Sequence, residues 1–151
     1  MAVMYQQYQV NASEAVTRIT WEKTGGVAGL SELLIIDANG SASYHSNWLG
    51  DAKVVLDENQ VTELMSRVNS ITVSKEYPPK SGVADYFTYR LTLHTASSIK
   101  TVTWVDEWAS AETLPKELLD IQTYANGIIL GVRPALRASV LANTGNTCDG
   151  I

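Results

Sequence analysis

Apolar and polar residues alternate with a period of two over much of the chain, and turn-forming clusters break the alternation into strand-length pieces. Over residues 16–23, Thr17, Ile19 and Trp21 fall on one face and Arg18, Thr20 and Glu22 on the other, which predicts a half-buried first strand. Residues 33–36 (LLII) are apolar at every position, the pattern of a short strand covered on both faces. Asp37-Ala38-Asn39-Gly40 follows. Asn-Gly supplies the two φ > 0 positions of a tight hairpin turn, so a third strand is expected over 41–48. The cleanest alternation is at 86–95, with Phe87, Tyr89, Leu91 and Leu93 on one face and Thr88, Arg90, Thr92 and His94 on the other. Ala96-Ser97-Ser98 turns that strand into a partner over 99–106, rich in Thr, Val and Trp.

Two segments change period. Asp57 and Gln60 form a capping-box start, after which Val61, Leu64, Met65 and Val68 share one helical face. Thr113 and Pro115 are an N-cap and a first-turn proline, and the helix they open is expected to stop near Asn126-Gly127. Residues 75–82 (KEYPPKSG) read as a loop, because two prolines remove backbone donors. Residues 1–15 show no sustained period and are expected to be a loosely ordered lead-in. Residues 131–151 are expected to be an extension with a short helix at 134–142 and then a frayed tail. The order β-β-β-α-β-β-α over 16–130 predicts a single α+β domain, an antiparallel sheet of about five strands with two main helices packed on one face.

A chain of 151 residues, 45% apolar and 18% charged, can bury one ordinary core. Its net charge of −5 argues against a nucleic-acid partner, which draws on clustered Lys and Arg. A single cysteine, Cys148, excludes an internal disulfide. The first residues lack the basic and apolar regions of a signal peptide, and no apolar run nears the roughly 20 residues of a membrane span. The expectation is a soluble, cytoplasmic protein without membrane association.

The stretch EKTGGVAGLSE (22–32) invites a nucleotide-binding reading and does not meet its requirements. No lysine follows Gly29, the glycine spacing is GGxxG, and the flanking segments are two strands rather than a strand and a helix. The geometric reading is that Gly25 and Gly26 supply φ > 0 positions while Ala28 and Gly29 keep the return path thin. His45 and His94 lie in separate strands with no zinc-type spacing, so no metal and no cofactor is expected. No serine lies in a GxSxG elbow, and Cys148 falls in the expected tail. A hydrolase would need the two histidines, or Asp106, Glu107 and Glu112, to converge; no catalytic residue is assigned.

Aromatic residues carry more information. Four tryptophans and seven tyrosines accompany one phenylalanine, so most rings have a polar handle suited to interfaces. Trp21, Phe87, Tyr89 and Trp104 are expected to build the core. Trp48 and Trp108, near strand ends, are expected to be exposed. The candidate partner-binding residues are therefore Gly25, Gly26, Val27, Ala28 and Gly29 of the glycine loop, Tyr77, Pro78 and Pro79 of the proline loop, and Trp48 and Trp108.

One ordered set of motifs has a counterpart elsewhere. Residues 19–30 (ITWEKTGGVAGL), then 85–93 (DYFTYRLTL), then Val102 and Asp106, then Leu114-Pro115 with Leu118-Leu119, resemble the emfourin-like family. That family's pattern is a first strand ending in GG(F/I/V)AG, a D-x-F-x-Y-x-(L/I) strand, a partner strand ending in Asp, and a P-x-x-L helix. The resemblance covers roughly 17–130; the lead-in, the Pro-Pro loop and the C-terminal residues depart from it. It implies a small α+β fold and a non-catalytic inhibitor of protealysin-type, thermolysin-like zinc metalloproteases. An interaction or assembly module with another partner is the alternative.

Overall fold

The computed structural model describes residues 15–71 and 74–148, with side chains as far as Val132. Its elements are β1 (Arg18–Gly25), β2 (Leu30–Asp37), β3 (Ser41–Ser46), β4 (Gly50–Val55), α1 (Glu58–Val68), β5 (Lys75–Glu76), β6 (Phe87–His94), β7 (Ile99–Val105), a 3-10 turn at Glu107–Ala109, and α2 (Lys116–Cys148). The strands form one sheet in the order β4-β3-β2-β1-β6-β7-β5, antiparallel except where β5 joins β7. The class is α+β, and the sheet has seven strands rather than about five. The two unexpected strands have physical reasons. β4 (GDAKVV) is built mostly from poor strand formers, and β5 is two residues long at the start of the proline loop.

The apolar faces meet on one side only. Val61, Leu64 and Val68 of α1 and Leu118, Ile121, Ala125, Ile128, Ile129 and Val132 of α2 close over Ile19, Trp21, Leu34, Ile36, Tyr44, Leu91, Leu93 and Val102 in one cluster. The other face carries Arg18, His45, Lys53 and Arg90, all exposed, with Leu33 and Ile35 half-buried among them. The LLII run is thus interior to the sheet but covered on one face, not on both. Its second pair of apolar side chains, Leu33 and Ile35, is half-buried on the other face.

Three boundaries differ from the sequence expectation. The turn after β2 has one left-handed residue, Gly40 at φ 95°, not two, and the Gly40 N–H donates to Asp37 O at 2.9 Å. A three-residue hairpin loop needs only its last residue left-handed. β3 stops at Ser46 instead of Trp48, because the N–H groups of Trp48 and Leu49 turn back to Ser46 Oγ at 3.1 and 3.2 Å. The last helix runs unbroken from Lys116 to Cys148, through the expected stop at Asn126-Gly127, the separate helix at 134–142 and most of the tail. Gly127 costs about 1 kcal/mol in a helix, and the burial of Ile128 and Ile129 immediately after it outweighs that cost. The lead-in up to residue 14 and the last three residues of the tail lie outside the described residues. Among the described residues no helix is long and apolar enough to cross a membrane.

The capping box at α1 is complete. The Gln60 N–H donates to Asp57 Oδ1 at 2.8 Å, and the Asp57 N–H donates to Gln60 Oε1 at 3.1 Å. Asp57→Ala is expected to lower unfolding stability by about 1 kcal/mol, read as a lower urea midpoint with an unchanged slope; an unshifted midpoint would contradict this account.

Candidate functional site

Because these pairings are antiparallel, the end of the sheet where β1, β3 and β7 finish is also where β2, β4 and β6 begin. Residues 26–29, 47–49 and 106–109 gather there. At about 4.8 Å per strand, the row from the β3 turn to the end of β7 spans roughly 20 Å. The most exposed large apolar side chains of this end are Val27 (86%), Trp48 (58%) and Trp108 (56%), one from each segment.

The segments are held by hydrogen bonds rather than left free. Asn47 links the first two: its Oδ1 accepts from the Ser31 N–H at 2.9 Å, its N–H donates to Ser31 O at 3.1 Å, and its Nδ2 donates to Gly29 O at 2.9 Å. Gly25 and Gly26 hold the glycine loop against the start of β6. A Cβ at Gly25 would lie 2.6 Å from Tyr86 O, and one at Gly26 would lie 2.8 Å from the Phe87 ring. Close approach therefore acts at Gly25 and Gly26, while Gly29 has open space around it and is required for its φ of 67°. Gly25 and Gly26 supply the expected left-handed positions, at φ 110° and 76°, and also take the close approach expected of Gly29.

Asp106 anchors the third segment. Its Oδ2 accepts from the Phe87 N–H at 2.8 Å and its Oδ1 accepts from the Tyr89 hydroxyl at 2.8 Å, which fixes the chain just before Trp108. The proline loop is zipped onto the same segment: the Lys80 N–H donates to Ala109 O at 2.7 Å, the Ala111 N–H donates to Pro78 O at 3.0 Å, and Pro79 bridges Ser110. Tyr77 is half-buried against the core, with its N–H donating to Thr103 O at 2.8 Å. Of the proline-loop candidates, only Pro78 is exposed. In the glycine loop Val27, Ala28 and Gly29 are exposed, whereas Gly25 and Gly26 are half-buried.

The two histidines raised for catalysis do not converge. His45 and His94 stand three strands and four register positions apart, roughly 20 Å. His45 Nδ1 contacts Asp51 on the exposed β3–β4 hairpin. Asp106 is held by Phe87 and Tyr89, and Glu112 faces Lys75 at 3.6 Å. Among the described residues no group of His, Cys, Asp or Glu has the arrangement of a metal site.

Asn47 and Leu49 were not legible as site residues, although Asn within a short polar break is a turn signal. Glu32 was missed too. It is a buried carboxylate in a largely apolar strand and accepts from the Tyr44 hydroxyl. The core tryptophans are as expected: the Trp21 ring packs at a tilt, its centroid 5.5 Å from that of Tyr89 and 5.6 Å from that of Trp104, and both indoles are buried. Phe87 is half-buried, with the Lys23 ammonium 4.4 Å above its ring.

No protein-family model and no curated protein matches the chain.

The Tyr89 hydroxyl is pushed above its ordinary range, first by burial, then by its hydrogen bond to Asp106 and the charges of Asp106 and Glu32. In the unfolded chain a tyrosine ionises near pH 10, about its unperturbed value. Above that pH the unfolded state loses a proton that the folded state keeps, so stability must fall as pH rises. Urea titrations from about pH 8 to pH 11 should show this fall. Tyr89→Phe should cost about 1 kcal/mol at neutral pH through the lost hydrogen bond, and its alkaline fall should be shallower than the parent's. An equally steep fall would remove Tyr89 as the cause.

Proposed function

We propose that the protein is a non-catalytic binding protein that docks a partner at the loop end of its sheet, as an inhibitor of a thermolysin-like zinc metalloprotease. The observation that carries the docking surface is the convergence of Val27, Trp48 and Trp108, exposed on three separate segments, at one end of one sheet. Docking loses least entropy when the contacting loops are ordered beforehand, and Asn47, Asp106 and the Pro79–Ser110 bridge supply that order. A narrow loop with a valine at its tip has a shape that a protease cleft can receive. The resemblance of 19–30 and 85–93 to the emfourin-like family is what supports a metalloprotease, and a cytoplasmic setting belongs to the same reading. The other reading, a module for a different protein partner, uses the same surface and is favoured by the two tryptophans, side chains typical of interface centres.

Titration into thermolysin-like and unrelated proteases separates the two. The expected result is stoichiometric inhibition confined to the thermolysin-like class. Val27→Asp should weaken it at least tenfold with an unchanged circular-dichroism spectrum and urea midpoint, because the Val27 side chain is outside the core. Gly26 is the wrong position for such a test: its φ of 76° and the Phe87 ring would make any larger residue a folding defect. Absence of inhibition across the class at micromolar concentrations would remove the protease and leave the interaction module.

A further inference from the structure

The two margins of the sheet are unlike. β5 has two residues and leads into Pro78 and Pro79, so that margin offers almost no row of donors to another strand. β4 at the other margin has six residues, and among the described residues no strand lies on its outer side.

The pairing with β3 determines which backbone groups face outward. The Leu56 N–H donates to Gly40 O at 2.9 Å, so Val54, Ala52 and Gly50 turn their N–H and C=O groups inward, opposite Ala42, Tyr44 and Ser46. Asp51, Lys53 and Val55 turn theirs to the open margin. Their side chains share the open face of the sheet and are exposed, Val55 to 82%. Lys53 takes part in none of the ion pairs among the described residues.

We infer that β4 is a homodimer edge, pairing antiparallel with β4 of a second copy about a two-fold axis at Ala52. The charge pattern selects this register. An axis at Asp51 sets Asp51 against Asp51, and one at Lys53 sets Lys53 against Lys53; like charges directly opposite are destabilising. A shift by a single residue sets outward backbone groups against inward ones and forfeits the ladder. The axis at Ala52 sets Asp51 of each copy opposite Lys53 of the other, and both residues have outward backbone groups that complete the hydrogen-bonded pair. Val55 is carried towards the exposed Leu49 of the other copy. A lone lysine on an edge strand ordinarily repels a second strand. Asp51, two residues before it and also in contact with His45 of its own copy, makes it half of a reciprocal pair.

The arrangement closes on itself. The interface is isologous and consumes both β4 edges, and the β5 margins are shut, so assembly stops at two copies instead of growing into a fibre. Because the two β4 strands run in opposite directions, the loop ends of the two copies point away from each other. Val27 and Trp108 stay clear of the interface, and Leu49, beside Trp48, borders it.

The test is the mass of the full chain by analytical ultracentrifugation from micromolar to millimolar concentration. The expected result is a concentration-dependent rise to twice the 16.5 kDa chain mass. Lys53→Asp and Asp51→Lys each create like-charge pairs at both symmetric positions, and each should raise the dimer Kd at least tenfold. An equimolar mixture of the two variants restores Asp opposite Lys and should dimerise again, which also shows that both variants fold. A chain that stays monomeric throughout, or a dimer indifferent to both substitutions, overturns the inference.

Discussion

Everything in the molecule hangs on the pairing of β1 with β6. The two strands are adjacent along their full length, from Arg18 opposite His94 to Gly25 opposite Phe87, yet they are far apart in the chain. β1 joins the β2-β3-β4 meander to β6 and β7, so this one long-range ladder turns two hairpin systems into one sheet. Closing such a separation costs chain entropy that local turns do not, and side chains along the seam offset it. Trp21, Tyr89 and Trp104, one from each of β1, β6 and β7, lie within 5.8 Å of one another between ring centroids. The ladder ends where the backbone of β1 approaches Tyr86 O too closely for any Cβ, and Gly25 sits there.

From that seam the character of each surface follows. The aromatic cluster and the two helices occupy one face, so the other face is left mostly to polar side chains, with Leu33, Ile35 and Val55 among them. The antiparallel order brings the β1–β2 turn, the β3–β4 turn and the segment after β7 to the same end. Asn47 and Asp106 then bind these turns to the sheet through short polar contacts, which makes the loop end an ordered surface with three exposed apolar groups. Rigid presentation of a few apolar groups is suited to binding, because ordered loops lose little entropy on docking.

The buried Glu32 and the half-buried Asp106 are matched by donors, whereas the Trp21 indole N–H is buried without a partner among the described residues. Glu32 is met by the Tyr44 hydroxyl, and Asp106 by the Tyr89 hydroxyl and a backbone N–H, so these carboxylates beneath the loop end have donors near at hand. Tyrosine in place of phenylalanine at 44 and 89 is what makes this possible. The tyrosine-rich, phenylalanine-poor composition thus serves the interior as well as the surface.

Local chemistry was sufficient for much of this. The alternation at β1 and β6, the Asp57–Gln60 box, the turn glycines and the burial of Trp21, Tyr89 and Trp104 each depend on residues close in sequence, whose periodicity or side-chain reach dictates the outcome. The α+β class followed from their order. The tertiary structure decided the rest. β4 and β5 are strands because a neighbour offers them a ladder, not because their residues prefer one. Helix α2 passes Gly127 because Ile128, Ile129 and Val132 find the sheet. Tyr77 is drawn in by its N–H bond to Thr103, and Pro79 by the flanking bonds of Lys80 to Ala109 and of Ala111 to Pro78, none of which a local pattern encodes. The gathering of Val27, Trp48 and Trp108 at one end is a property of strand order, because residues distant in sequence become neighbours only when an antiparallel sheet brings their turns together.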